Sequence, residues 1–249
     1  MTNDLQTQQL DPQTWLIYPA ALRQQVQGCW FDREYWGEAA QPLAAERGGR
    51  RPPLLLPTDP GPSVWRHYQR GGAVARLLGD RYWWTGLAQS RPWLELQVTV
   101  HLHQAGLLVP RPLAARVQRE GRWYRGDLLT EQIADCQTLA QCCADSTAAL
   151  DWGAIGHAIG QLHRAGADHA DLNAHNLLID GDGRVWVLDF DRARLRPGAG
   201  RWQQANLERL RRSLIKLQQM PEADDWQRLV EAHAAVVAPG QPPGSASTG

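Results

Sequence analysis

The sequence contains a single lysine, Lys216, so arginine supplies nearly all of its positive charge. Its 26 basic and 26 acidic residues cancel to a formal net charge of zero. A neutral chain has no whole-molecule attraction to nucleic acid, and we expect no nucleic-acid partner. Because Lys216 lies near the C-terminus, any cation that binds phosphate in the first half of the chain is expected to be an arginine.

Cysteine is also scarce, with four residues and no C-x-x-C spacing among Cys29, Cys136, Cys142 and Cys143. We therefore expect reduced thiols in a cytosolic protein, without a disulfide framework or a zinc site. The sequence has no run of about 18 apolar residues, which predicts no membrane-spanning helix. The polar, glutamine-rich N-terminus does not have the pattern of a signal peptide.

Apolar residues make up 43% of the 249 residues, which is enough for a full-sized core. The order of patterns predicts an α+β protein with two lobes. We expect a flexible N-terminus at 1–14, a β-rich nucleotide-binding lobe at 15–132, a mainly helical catalytic lobe at 133–237 and a disordered tail at 238–249.

Short apolar or alternating runs predict strands in the first lobe. They are "TWLIYP", "VQGCWF", Leu54 to Leu56, "VWRHYQ" and the hairpin pair "LAARVQ" and "WYRGDLLTEQI". The segment "RPWLELQVTVHLHQAG" begins with proline, ends with glycine and carries Leu94, Val98 and Leu102 at helical spacing, which predicts a helix. "DWGAIGHAIGQLHRAG" predicts a second helix with an aspartate cap, and two further helices close the chain.

Ionisable residues flank two apolar runs in "HADLNAHNLLIDGDGRVWVLDFDRARLRP", His169 to Pro197. The turn Asp180-Gly-Asp-Gly183 joins these runs and predicts a β-hairpin. A hairpin brings its two ends together, so Asn176 should lie near Asp189. Asp171 precedes the first strand and should face the same opening.

These three polar residues have the types and the order of a phosphoryl-transfer site. Asn176 and Asp189 offer the hard oxygen ligands that suit Mg²⁺, and Asp171 remains to accept a hydroxyl proton. The order corresponds to the H-R-D-x4-N and D-F-G elements of protein-kinase-like enzymes, which use ATP and Mg²⁺. A zinc or di-metal hydrolase built on His163, His169, Asp171 and His175 is the alternative, but no histidine pair has the H-E-x-x-H spacing.

A kinase-like site also needs a cation for the nucleotide phosphates and a helical carboxylate to hold it. Arg66 in "VWRHY" and Glu95 in the following helix occupy those places, although both also fit ordinary surface positions. Gly48 and Gly49 offer a loop that covers phosphates, without a G-x-G-x-x-G pattern. The backbone from Glu131 to Ile133, at the lobe junction, is expected to bind adenine.

Two departures argue against a regulated protein kinase. Ala170 replaces the arginine of H-R-D, which normally pairs with a phosphorylated loop, and no A-P-E sequence follows. A full platform for protein substrates is therefore not expected, and a small-molecule or glycolipid acceptor fits better.

Three strings, "HADLNAHNLLID…VWVLDFDRARLRP", "VWRHYQRGGAVARLLGDRYWW" and "AGLLVPRPLAARV", resemble the 3-deoxy-D-manno-octulosonic acid (Kdo) kinase family of Gram-negative bacteria. The resemblance covers about Val26 to Leu217. It implies ATP- and Mg²⁺-dependent phosphorylation of the 4-hydroxyl of Kdo on a lipid A precursor, Kdo-lipid IVA, in lipopolysaccharide core assembly. It also implies a peripheral location at the cytoplasmic face of the inner membrane, with no known protein partner.

An acceptor that carries a carboxylate and phosphates needs cations, and Arg192, Arg194 and Arg196 directly follow the proposed metal aspartate. Trp83 and Trp84 fit either a lipid headgroup boundary or a core. Other small-molecule kinases, such as a heptose kinase or an aminoglycoside-type phosphotransferase, share the core site. A nucleotide-binding pseudokinase is the non-enzymatic alternative, since Arg66 stands where lysine is usual.

Overall fold

A large antiparallel sheet dominates the first half of the computed structural model, which describes residues 4–43, 52–70, 79–145 and 149–238. The strands of this sheet lie side by side in the order β1-β2-β7-β8-β5-β4-β3, and β6 pairs with β8. The strands are β1 (Leu5–Asp11), β2 (Thr14–Pro19), β3 (Gln41–Pro42), β4 (Leu54–Thr58), β5 (Gly61–His67), β6 (Tyr82–Trp83), β7 (Pro112–Glu120) and β8 (Trp123–Glu131).

The alternation of side chains along these strands gives the sheet two apolar faces. On one face Ile17 and Leu128 join the cluster that includes Leu96 and Val100 of helix α2, Arg91–Gln104. On the other face Leu16 and Leu129 pack against the segment that follows β2. That segment contains α1, Arg33–Trp36, and covers the second face.

Two expectations for the N-terminal region are wrong. Leu5–Asp11 is not flexible but pairs antiparallel with β2 as an edge strand, because Leu5 is buried in a sheet cluster. The "VQGCWF" run is not a strand: Gly28–Phe31 forms a 3-10 helix that buries Trp30 and Phe31. A tight turn of helix directs both rings at one face of the sheet, whereas a strand would send neighbouring side chains to opposite faces.

Helix α2 packs against two hydrophobic clusters, so its buried residues are not confined to the predicted stripe of Leu94, Val98 and Leu102. Val98 and Leu102 belong to the C-terminal cluster, while Leu96 and Val100 belong to a sheet cluster. Leu94, the first residue of the apolar stripe, is 40% exposed. A helix with partners on two sides buries a broad face, and this face includes the carboxylate of Glu95.

The second half is mainly helical, and its core combines the helices with two small sheets. Strands β9, β11 and β12 form one of these sheets, and β10 and β13 form the other. The helices are α3 (Leu139–Ala144), α4 (Trp152–Arg164), α5 (Arg201–Leu217) and α6 (Ala223–Val237), and the strands are β9 (Cys136–Thr138), β10 (Ala167–Asp168), β11 (Leu177–Asp180), β12 (Val185–Val187) and β13 (Arg194–Leu195).

Helices α4 and α6 pack closely because two glycines face the contact. A Cβ atom at Gly156 would lie 2.1 Å from the carbonyl oxygen of Leu229, and one at Gly160 would lie 2.7 Å from the Cβ of Val236. Asp151 caps α4 by accepting the Ala154 amide, as predicted. Within the described ranges, every helix is too short or too polar to cross a bilayer.

Candidate active site

The predicted hairpin is present as β11 and β12, and its turn explains two of the acidic residues. The Asp180 carboxylate accepts hydrogen bonds from the Arg184 amide at 2.9 Å and from Trp186 Nε1 at 2.9 Å. Asp182 is exposed and pairs with Arg184. Both aspartates therefore belong to the turn, at the end of the hairpin remote from Asn176.

The open end of the hairpin brings Asn176 beside the segment that carries Asp189. The Leu188 amide donates to the carbonyl oxygen of Asn176 at 2.9 Å. The second strand ends at Val187 and not at Phe190, where the sequence predicted its end. The backbone of Asp189 then adopts the left-handed conformation, with φ of 58°. Such a conformation is unfavourable for most residues other than glycine and tolerable for aspartate, and it turns the chain out of the sheet.

The loop holds Asp171 by its backbone and leaves its carboxylate unpaired. Asn176 Nδ2 donates to the Asp171 carbonyl oxygen at 2.8 Å, and Asn173 Nδ2 donates to the same oxygen at 3.0 Å. The Asp171 amide donates to His169 Nδ1 at 3.2 Å. Its exposed side chain makes no hydrogen bond or ion pair with the described residues, so the carboxylate is positioned but available.

His169 connects the Asp171 loop to the Asp189 segment. Its Nε2 donates to the Leu188 carbonyl oxygen at 2.8 Å, while Nδ1 accepts from Asp171. These partners require the neutral ring with its proton on Nε2. Burial lowers the pKa of His169 and favours that neutral form. His169 is thus a positioning residue between the two aspartates.

Arg66 joins the N-terminal sheet to the hairpin. Its Nη1 donates to Asp189 Oδ1 at 2.9 Å, and its Nη2 contacts Glu95 Oε1. Strand alternation selected Arg66 over His67, and the side chain of His67 indeed points elsewhere, towards Asp127 and Asp80. The structure therefore brings Arg66, Glu95 and Asp189 together, while their roles toward a nucleotide stay predictions.

The electrostatics of this cluster favour a permanently charged guanidinium. Burial opposes the charge, but the carboxylates of Asp189 and Glu95 outweigh it and raise the pKa of Arg66. Burial raises the pKa of Glu95, and Arg66 counteracts that effect. The Tyr68 hydroxyl also contacts Glu95. Tyr68 lies two residues after Arg66, directly past the end of β5, so continued alternation along this segment could have identified it.

A second ion pair, which the sequence did not reveal, lies beside the first. Arg91 Nε donates to Asp191 Oδ1 at 2.7 Å, and the guanidinium also contacts Asp191 Oδ2. The pair joins the start of α2 to the residue two positions after Asp189. Arg91 and Asp191 are 100 positions apart, and no local pattern signals such a contact.

The oxygen atoms at the hairpin opening suit Mg²⁺. Asn176 uses its Nδ2 on Asp171, which leaves its Oδ1 without a partner among the described residues. Asp189 uses Oδ1 on Arg66, and its side chain is 35% exposed. A carboxylate and an amide oxygen, with waters and phosphates as further ligands, match the preference of Mg²⁺.

The alternative of a zinc or di-metal hydrolase lacks a ligand set. In the part of the chain that the structure describes, no group of three or more histidine, cysteine or acidic residues is arranged to hold a metal. His163 Nδ1 lies 2.7 Å from His233 Nε2, in the core between α4 and α6. The four cysteines are free.

The segment predicted to bind adenine lines a cavity of about 470 Å³. Glu131 and Ile133 form part of its wall with the hairpin turn, whereas Arg66, Asp171 and Asp189 do not. The Glu131 amide donates to the Arg111 carbonyl oxygen at 2.9 Å, but the Ile133 amide has no partner among the described residues. Adenine binding by this backbone stays a prediction, and Gly48 and Gly49 lie outside the described residues.

The three arginines predicted to bind the acceptor differ in their surroundings. Arg196 is paired with Asp168, with Nη2 and Oδ2 3.1 Å apart. Arg194 lies in β13 opposite Asp168, and Arg192 has a left-handed backbone with φ of 65°. Arg192 and Arg194 are exposed and have no carboxylate partner among the described residues. These two are thus better placed than Arg196 to meet an anion.

Comparison with known proteins gives one consistent result. The model of the lipopolysaccharide kinase (Kdo/WaaP) family matches residues 34–233. A Xylella fastidiosa (strain M23) protein named 3-deoxy-D-manno-octulosonic acid kinase is 39% identical over 222 residues, which cover 88% of each chain. Proteins with the same name from Stenotrophomonas maltophilia (strain R551-3) and Xanthomonas axonopodis pv. citri (strain 306) are 41% and 43% identical. They cover 86% and 81% of this chain and 85% and 80% of their own lengths.

Proposed function

The chain belongs to the lipopolysaccharide kinase (Kdo/WaaP) family, and from that premise we propose that it transfers the γ-phosphate of ATP to the 4-hydroxyl of Kdo on Kdo-lipid IVA. The proposal includes a two-lobed, protein-kinase-like arrangement, with the nucleotide between the large sheet and the β11–β12 hairpin. It also includes a peripheral location at the cytoplasmic face of the bacterial inner membrane.

The observation that carries this proposal is the unpaired carboxylate of Asp171. Hydrogen bonds with Asn173, Asn176 and His169 fix the backbone of Asp171, while its carboxylate is available to bind a hydroxyl group. A group that positions a hydroxyl and accepts its proton needs both properties. The neighbouring Asp189 and Arg66 supply the charges that a phosphoryl transfer requires.

In this mechanism Asp171 orients the sugar hydroxyl in line with the γ-phosphorus and accepts its proton late in the transfer. The hydroxyl oxygen forms a bond to phosphorus as the bond to the bridging oxygen of ADP breaks. Arg66, held by Glu95, neutralises charge on the α- and β-phosphates. Asp189 and Asn176 would hold Mg²⁺, which supplies charge neutralisation at the phosphates when bound.

Residues other than the catalytic aspartate determine which acceptor binds. Arg192 and Arg194 follow Asp189 closely and offer exposed guanidinium groups to the Kdo carboxylate or the lipid phosphates. Ala170 leaves the loop without the arginine that a phosphorylated activation segment would need. The proposed enzyme is therefore constitutively assembled and is not switched on by such a phosphorylation.

The test is transfer of labelled phosphate from ATP to Kdo-lipid IVA with Mg²⁺, followed by mass spectrometry to locate the new phosphate. We expect Asp171→Ala to lower turnover by about a thousandfold or more while ATP binding is largely kept. Asp224→Ala, which removes an exposed carboxylate from the first turn of helix α6, is the matched control and should leave turnover unchanged. Normal turnover by Asp171→Ala, or no product from the unaltered protein, would contradict the proposal.

A further inference from the structure

Strand β6 and the β7–β8 turn form an aromatic and arginine-rich surface that the proposed chemistry does not use. We define it as Trp83, Trp84, Trp123, Arg119 and Arg122. The Trp83 and Trp123 rings meet edge to face with centroids 5.2 Å apart. The guanidinium of Arg122 lies 5.9 Å from the Trp83 centroid, and that of Arg119 lies 5.3 Å from the Trp84 centroid.

Packing of the core does not account for Trp83. Trp84 stacks on Trp15 at 5.5 Å and contacts Tyr124, so it anchors the surface to the sheet. Trp83, its neighbour, points the other way on a strand and is 53% exposed. Of the tryptophans that the structure describes, it alone is exposed. Leaving so large a ring in water has a free-energy cost that a partner could recover.

The charge of the surface is positive. Arg119 donates to the Gly121 carbonyl oxygen at 2.9 Å, and neither it nor Arg122 has a carboxylate partner among the described residues. The nearby acids have basic partners of their own: Asp80 pairs with Arg125 and His67, and Glu120 pairs with Arg125 and Arg81. The arginines next to the exposed ring are therefore free to meet anions.

We propose that this surface docks the protein on a bilayer of anionic phospholipid. Tryptophan rings favour the headgroup level of a bilayer, and arginines beside them attract anionic headgroups. This inference deepens the proposed peripheral location by naming the surface. Trp84 of this surface contacts the Tyr124 ring, whose hydroxyl accepts a hydrogen bond from the Arg91 amide at 3.0 Å, so the surface adjoins the start of helix α2, which carries Glu95.

The first experiment needs neither nucleotide nor acceptor, and it is therefore independent of the proposed phosphoryl transfer. The full chain is sedimented with vesicles of phosphatidylcholine alone or mixed with phosphatidylglycerol. We expect binding to the mixed vesicles that weakens with added salt. The double variant R119Q/R122Q should lower the partition coefficient about tenfold, and Trp83→Ala should lower it several-fold.

The matched controls are Arg211→Gln with Arg212→Gln, which removes two exposed charges from α5, and Tyr35→Ala, which removes an exposed ring elsewhere. Both should bind vesicles as the unaltered protein does. Circular dichroism checks that Trp83→Ala is folded, and R119Q/R122Q provides a second reading that leaves the rings in place. Equal loss in controls and variants would overturn the proposal.

Two further outcomes would also overturn it. One is equal binding to both vesicle types. The other is a dimer in sedimentation velocity that Trp83→Ala dissociates, which would assign the surface to a second copy. Kinase assays in detergent distinguish bilayer docking from phosphoryl transfer. R119Q/R122Q should keep its turnover on acceptor dispersed in detergent and lose turnover only on acceptor in vesicles. No turnover by the unaltered protein in detergent would instead count against the proposed function.

Discussion

Strand β5 carries two ionic networks on opposite faces, and they differ in how completely their aspartates are bonded. On one face Asp127 accepts from Trp65 at 3.0 Å, from His67 at 2.8 Å and from both Nε and Nη2 of Arg116 at 3.0 and 2.8 Å, and its side chain is 1% exposed. On the other face Asp189 has Arg66 as its one ionic partner and keeps an exposed edge.

The difference distinguishes a structural carboxylate from a functional one. Burial raises the pKa of Asp127, but its many donors more than offset that effect and lower it overall. Asp127 has no free lone pair for a ligand. Asp189 adopts an unfavourable backbone conformation, and its Oδ2 accepts no hydrogen bond from the described residues. This oxygen is therefore available to a ligand. Substitutions in the two networks should therefore affect activity and stability separately.

The largest expected effect is on activity. Asp189→Asn keeps the shape and tolerates the left-handed backbone, but it removes the charge that would hold Mg²⁺. We expect turnover to fall by about a thousandfold, or about 4 kcal/mol of transition-state stabilisation. The free energy of unfolding, measured in urea, should change by less than about 1 kcal/mol. A large loss of stability would place Asp189 with Asp127 instead.

The next effect is on stability. Asp127→Ala leaves Arg116 and His67 without their shared buried partner, which should lower the free energy of unfolding by about 3 to 5 kcal/mol. Urea unfolding measures this directly, with the exposed Asp182→Ala as the control, which should cost less than about 0.5 kcal/mol. A loss below about 1 kcal/mol for Asp127→Ala would show that the network contributes little.

A smaller effect tests the cation. Arg66→Lys keeps the charge but cannot donate to Asp189 and Glu95 from two separate nitrogens of a planar group. We expect one charged hydrogen bond to be lost, about 1.5 to 3 kcal/mol, seen mainly as a higher KM for ATP. A lysine variant with unchanged KM would contradict a role for the guanidinium fork.

The last effect, the pH dependence of stability, appears only when the pH is changed. His67 donates to Asp127 and Asp80, and although burial opposes it, these carboxylates raise its pKa above the ordinary 6.5. Its contribution is complete below 6.5 and is lost as pH rises through the raised value. Burial lowers the pKa of His163 to about 3, so its contribution is complete above 6.5 and is lost as pH falls towards 3.

Urea titrations at several pH values check both signs. His67→Gln should weaken the decline of stability on the alkaline side, and His163→Gln should weaken the decline on the acid side. If each variant kept the decline assigned to its histidine, other groups would have to cause it.

Local patterns predicted the elements of the site but not all of its connections. Turn chemistry identified the hairpin that carries Asn176 and Asp189, and strand alternation separated Arg66 from His67. The contact of Arg91 with Asp191 depends on how distant elements pack, which no local period encodes. Arg116 and Asp127, in contrast, lie opposite each other in the predicted β7–β8 hairpin. The same limit explains the error at residues 5–11: a polar, glutamine-rich segment is held in place by pairing with β2.

The glycines of α4 also constrain how the chain folds during synthesis. Gly156 and Gly160 give α4 a contact face that only α6, more than fifty residues later, fills. That face stays exposed until Val237 has left the ribosome, so the C-terminal core forms late in translation. The sheet of residues 5–131 has no such delay, because its strand pairings and its two apolar clusters lie within that range. The nascent chain should therefore carry a formed sheet before it carries a catalytic hairpin.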